Sequence, residues 1–182
     1  PSAAGLYILS FPIIHILFER GAFLAEDTFY TSKVLSIFAL GLPAYILIKI
    51  LVTCFFARED TKTPLYVSIF SVMVNIILSV LLISSMREMG IALATAISAW
   101  INTILLFSIL YKDNNFFLES KLVKNSLKIV LATLIMMLMC YFLNQLMFTN
   151  IADLSTILNV SNLFLVIICS KIIYLGMIFM LK

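Results

Sequence analysis

Residues 64–86 read PLYVSIFSVMVNIILSVLLISSM, a run without one acidic or basic side chain. About 20 mostly apolar residues cross a hydrocarbon core of about 30 Å as a helix. A strand of a membrane barrel would instead alternate lipid-facing and lumen-facing residues. A single segment in lipid must satisfy its own backbone hydrogen bonds, and a helix does so.

The same character repeats on both sides of this run. Further apolar spans lie at 2–18, 32–57, 90–111, 126–148 and 159–181, which brings the total to six. The 182-residue chain is 63% hydrophobic and 12% charged, with a mean hydropathy of +1.16. A soluble domain has roughly 45–50% apolar and about 25% charged residues, so most of this chain is solvated by lipid. The fold class that follows is all-α and integral to the membrane, with six transmembrane helices. The first span begins almost at Pro1, without an initiator Met, and ends at Glu19-Arg20. A signal peptide would open with basic residues and close on small ones. Residue 1 is therefore expected to be a cut inside a larger protein.

Loop charge orients the spans. If the N-terminus lies on one side, that side collects Arg58, Lys62, Lys112, Lys121, Lys124, Lys128 and Lys182. The other side collects Arg20, Lys33 and Arg87. The positive-inside rule makes the richer side cytoplasmic. Both termini and the 58–63 and 112–125 loops are then expected in the cytoplasm, and the 19–31, 87–89 and 149–158 loops outside. The net charge of +3 is this bias and not a nucleic-acid footprint, which would be a basic face on a soluble fold.

Charge at membrane depth is costly and marks functional positions. All nine acids, including Glu19, Glu59, Asp60, Asp113, Glu119 and Asp153, fall in loops or at helix ends. No carboxylate pair for acid–base work sits in the hydrocarbon zone, and no catalytic residue is expected. Lys49 and Lys171 lie inside spans. Lys49 has two readings: a cation on the wall of a water-filled cavity, or a side chain that snorkels to the headgroups. Lys171 reads as structural or helix-pairing. The single His15 reads as an interfacial residue, and without a second His a zinc site is not expected. Cys54, Cys140 and Cys169 lie within spans, in no metal-ligand spacing. No cofactor motif is present.

Asn75 and Asn102 sit inside spans and are expected to hydrogen-bond across helices. Gly90, Ala94, Ser98 and Asn102 recur every four residues, a stripe that lets helix backbones approach closely. That span is expected to be interior, and the bulky 126–148 span more exposed to lipid. In the loop Ala57-Arg58-Glu59-Asp60-Thr61-Lys62-Thr63-Pro64, Thr63 is expected to cap the next helix and Pro64 to take its first position. Pro43, inside Gly41-Leu42-Pro43, is expected to kink its helix.

Three stretches now resemble a known family. Glu19-Arg20-Gly21-Ala22-Phe23 is similar to the E/Q-x-G-x-F signature of the MurJ/MviN family of lipid II flippases. Gly41-Leu42-Pro43-Ala44, then Lys49, then Phe56 through Pro64 resembles the most distinctive sequence of that family. Gly90 through Thr95, continuing to Asn102, resembles its small-residue span. The resemblance covers residues 1–110 and is hydropathic beyond them.

The resemblance implies part of a multidrug/oligosaccharidyl-lipid/polysaccharide-type transporter fold, covering helices nine to fourteen of fourteen. Residues 1–111 would belong to the second lobe, 112–125 to a cytoplasmic connection, and 126–182 to a C-terminal helix pair. The implied activity is movement of lipid-linked peptidoglycan precursor across the bacterial inner membrane by alternating access, with no enzyme chemistry and no cofactor. The implied partners are lipid II, membrane lipids and the N-terminal helices of the same protein, and no nucleic acid. Lys49 and Arg58 carry over as contributors to substrate binding. Gly21, Gly41, Pro43, Asp60, Thr63, Pro64 and Gly90 carry over as structural motif positions. Two other readings stay open: a polysaccharide-precursor exporter of the same superfamily, and a non-transporting membrane remnant or interaction module.

Overall fold

A computed structural model describes residues 1–112, 120–148 and 156–180. Among them are seven α-helices and no strand: α1 (Ser2–Ile8), α2 (Ser10–Phe18), α3 (Ala25–Phe56), α4 (Lys62–Met86), α5 (Glu88–Lys112), α6 (Ser120–Met147) and α7 (Thr156–Met180). Five of these, α3 to α7, are long and apolar enough to cross a membrane. The sixth expected span, 2–18, is divided at Leu9 into α1 and α2. Pro12 accounts for the division. It has no N–H to return to the Ile8 carbonyl, and its ring crowds that carbonyl. In the first turn of α2, where N–H groups have no helical partner, the same ring is tolerated.

α3 begins at Ala25, seven residues before the expected start of its span. Hydropathy marks where apolar residues begin, whereas a helix begins where its first N–H groups find acceptors. Here Asp27 Oδ2 accepts the Leu24 N–H at 2.9 Å, the side-chain half of a capping box. Glu26 and Asp27 also place negative charge at the positive end of the helix dipole. The expected 19–31 loop therefore contracts to residues 19–24. α3 then continues to Phe56 without breaking at Pro43. α6 likewise starts before its expected boundary. Residues 113–119, 149–155 and 181–182 lie outside the described residues, and with them Asp113, Glu119, Asp153, Lys182, half of the expected 112–125 connection and most of the 149–158 one.

The helices gather into two compact units, Pro1–Ser36 with Leu118–Lys182, and Ile37–Phe117. In the first, Leu9 and Ile16 of the broken span pack with Cys140 of α6 and with Leu163 and Val166 of α7. In the second, Leu51 and Phe55 of α3, Val67 of α4, and Leu106 and Leu110 of α5 form the core. Gly41 brings α3 close to α5 there: a Cβ on it would stand 3.3 Å from the Ala96 Cα. All four stripe residues, Gly90, Ala94, Ser98 and Asn102, are buried. Asp/Glu/Lys/Arg side chains of the described residues fall in loops and at helix ends, apart from Lys33, Lys49, Lys128 and Lys171.

Candidate functional site

The residues that resemble family motifs cluster at two helix corners, on one crossing and along α3. The corner between α3 and α4 explains its own sequence. α3 ends with the Asp60 N–H on the Phe55 carbonyl (3.1 Å) and the Glu59 N–H on the Phe56 carbonyl (3.0 Å). These are the two bonds of a Schellman motif. Its left-handed position, where glycine is usual, is held by Glu59 at φ 60°. Asp60 then serves the next helix: its Oδ1 accepts the N–H groups of Lys62 (3.1 Å) and Thr63 (3.0 Å). One residue thus closes α3 with its backbone and opens α4 with its side chain. Asp60, not Thr63, supplies the cap, because an acceptor two and three residues ahead of those N–H groups is correctly placed. The Thr63 hydroxyl bonds back to the same carboxylate, and these bonds hold Asp60 below its ordinary value of 3.8. Pro64 is the third helical residue, still inside the first turn.

The corner between α2 and α3 is tied by side chains. Glu19 Oε2 accepts from the Thr28 hydroxyl at 2.6 Å and lies 2.6 Å from His15 Nδ1. An ionised carboxylate only accepts, so the ring proton resides on Nδ1. The Thr28 bond, together with the nearby His15 ring and against a smaller effect of burial, holds the Glu19 carboxyl below its ordinary value of 4.5. Thr28 is fully buried. Arg20 reaches back to the Ile16 carbonyl at 3.3 Å, a cation on the negative end of α2. Gly21 turns the chain at φ 63°. His15, read from sequence as interfacial, is part of this tie and stacks on Phe11. Thr28 carried no sequence signal, because its partner Glu19 is nine residues away, at the end of α2.

Lys49 is exposed on α3, seven residues before the helix ends at Phe56, or about 10 Å along the axis. Arg58 lies in the corner beyond it. Around Pro43, α5 supplies hydrogen bonds to α3 carbonyls: Trp100 Nε1 donates to Leu40 O at 3.1 Å and the Thr103 hydroxyl to Ala44 O at 3.2 Å. The expected bonds across helices come from these two residues. Asn75 instead accepts from Ser79 on its own helix at 3.1 Å, and the amide oxygen of Asn102 has no protein partner.

A groove of about 180 Å³ lies among α3, α4 and α5, lined by Tyr45, Ser68, Ser71, Asn75, Ser98 and Asn102 together with apolar side chains. Lys49 is not part of its lining. A larger, mostly apolar cavity of about 450 Å³ lies among α1, α6 and α7, with Ser170, Lys171 and Tyr174 on its wall. Among the described residues no cluster of His, Cys, Asp and Glu could hold a metal ion.

A family model described as lipid II flippase MurJ matches residues 1–162. A protein of Rickettsia prowazekii named "Probable lipid II flippase MurJ" is 37% identical over 182 residues, covering 100% of this chain and 36% of its own. A protein of the same name from Rhizobium tropici is 43% identical over 136 residues, 75% of this chain and 26% of its own. The solved structure "Lipid II flippase MurJ, inward closed conformation" superposes with a TM-score of 0.68 at 31% identity, over 94% of this chain and 34% of that one. The chain spans about a quarter to a third of the length of these relatives.

Proposed function

This chain belongs to the MurJ family of lipid II flippases, and we propose that it forms the C-terminal part of such a flippase. It moves lipid-linked peptidoglycan precursor from the inner to the outer leaflet of the bacterial inner membrane. The observation that carries the reading is the match to a MurJ relative along all 182 residues, with the motif residues at the corners and the crossing described above. We read it as a carrier, because the family to which it belongs is described as a flippase.

In this reading the chain's partners are lipid II, the surrounding lipids and the remaining helices of the same protein. Lys49 faces an aqueous path and attracts the pyrophosphate, and Arg58 adds positive charge at the cytoplasmic mouth. Two features support this role for Lys49. It is exposed two turns inside the helix end, and the α3 face opposite the core carries it away from the Leu51–Phe55 packing. Residues 1–111 belong to the second lobe and 126–182 form an appended helix pair. Both termini of the segment, with the Arg58–Lys62 corner, lie in the cytoplasm, as the distribution of Lys and Arg favours.

Reconstitution tests the proposal. The full-length protein in liposomes is expected to translocate fluorescent lipid II and to leave an O-antigen-type polyprenyl saccharide unmoved. Lys49→Met is expected to slow lipid II about tenfold, or about 1.4 kcal/mol of barrier, with insertion unchanged. Transport of the saccharide alone would assign the chain to the polysaccharide exporters. An unchanged rate for Lys49→Met would leave Lys49 as a snorkelling residue.

A further inference from the structure

We propose that the groove among α3, α4 and α5 holds a cluster of water molecules at membrane depth. These waters donate hydrogen bonds to side-chain oxygens that the protein leaves without donors. The groove lies near the middle of α4 and α5, where Asn75 and Asn102 sit.

The chemistry of its wall selects the occupant. The Ser71 hydroxyl spends its proton on the Val67 carbonyl at 2.9 Å, and the Ser98 hydroxyl on the Thr95 carbonyl at 3.0 Å. Each therefore presents only lone pairs to anything else. Asn102 is 8% exposed, and its amide oxygen has no protein partner. A half-turn of that amide brings either end to the groove. A buried acceptor without a donor is costly, and in lipid no outside solvent can supply one.

The occupant must then be able to donate hydrogen bonds, and water also accepts them from the amide N–H groups of Asn75 and Asn102. No acid or base lines the groove, so nothing there compensates a full charge, and a neutral donor fits. About 180 Å³ accommodates several waters, each with a share of about 30 Å³. A water needs two to four polar partners, and Ser71, Asn75, Ser98 and Asn102 supply polar atoms to the wall. Occupancy by water also accounts for a cluster of polar side chains on helices whose other faces are aliphatic.

Thiol chemistry tests this in the intact protein in native membranes, with Cys54, Cys140 and Cys169 replaced by Ala. Ser68→Cys and Asn75→Cys are expected to react with an anionic methanethiosulfonate at least a hundredfold faster than Ile77→Cys and Val80→Cys on the outer face of α4. The rates should be equal in sodium and choline buffers. Asn102→Leu in the Ser68→Cys background should slow the reaction at least tenfold. Asn102→Ser, which keeps an oxygen and controls for folding, should retain most of it. Groove rates no higher than those of Ile77→Cys would show a dry groove and overturn the proposal. Protection by sodium would replace water with a cation and overturn it equally. A rate unchanged by Asn102→Leu would remove the buried amide from the account and overturn it as well.

Discussion

α4 and α5 are each 25 residues long and share one core, yet they meet their surroundings in opposite ways. The most apolar stretch of α4 has a mean hydropathy of 2.5 and is 11% buried, whereas that of α5 has 1.9 and is 44% buried. The less apolar helix is the more hidden one. Water would impose the reverse order. Lipid tails are as apolar as leucine, so bulky aliphatic residues gain nothing by leaving them. Ile76, Ile77, Val80 and Leu81 accordingly stay outside on α4. Burial goes to residues that allow backbones to approach or that need polar company: Ala92, Ala94, Ala96, Ser98, Asn102 and Thr103 on α5.

The comparison breaks first at Gly90. A Cβ there would stand 2.6 Å from the Leu82 carbonyl oxygen and 2.7 Å from its carbon. Both are backbone atoms that no side-chain rotation can move. Gly90→Val is expected to cost at least the upper end of the about 1–3 kcal/mol typical of overpacking, read by reversible unfolding in detergent micelles. A variant that melts like the parent would mean that α4 and α5 do not cross as described.

A matched pair sharpens the contrast. Ala94→Leu on α5 fills a site with 0% exposure and should cost about 1–3 kcal/mol. Val80→Leu on the outer face of α4 should change stability by less than about 0.5 kcal/mol. Equal effects in the same unfolding assay would erase the distinction between the helices.

The corners that flank α4 give smaller effects. Arg87, between α4 and α5, holds φ 50° and ψ −129°, a conformation that only glycine adopts freely. Arg87→Gly is expected to stabilise the protein by about 1 kcal/mol. At the other end of α4, the Asp60 carboxylate caps while ionised. Its value in the folded protein lies below the ordinary 3.8, so capping is complete above that value and is lost as pH falls through the lowered one. The protection of the Lys62 and Thr63 amides, corrected for base-catalysed intrinsic exchange, should fall only below about pH 4. A loss of protection near neutral pH would assign the cap to another group. Asp60→Ala should reproduce the acid behaviour at every pH, with a melting temperature only a little below that of the parent.

Much of this was legible in the residues. Runs without charge gave the long helices, because crossing lipid is a property of composition. The four-residue stripe from Gly90 to Asn102 identified α5 as interior, because close approach is a property of side-chain size. The corner signature could be located, but its working could not be read. Glu59 in a left-handed position and Asp60 serving two helices depend on backbone bonds that leave no mark in hydropathy. The division at Leu9 was written in Pro12 but masked by an unbroken apolar run. The expected partners of Asn75 and Asn102 failed for a related reason. A polar residue inside a span signals a need for a partner, not which helix answers it. Trp100 and Thr103 had carbonyls of α3 in reach, whereas Asn75 had Ser79 four residues ahead on its own helix.

As part of a carrier, these helices are expected to work only with the rest of it. Alternating access requires two halves that rock about a shared site. The measurement is growth of a strain depleted of its own lipid II flippase, supplied either with residues 1–182 or with the full-length reading frame that contains them. The segment is expected to insert and fail to rescue, while the longer protein restores growth. Rescue by residues 1–182 alone would contradict this expectation, because six membrane segments would then suffice to move the lipid.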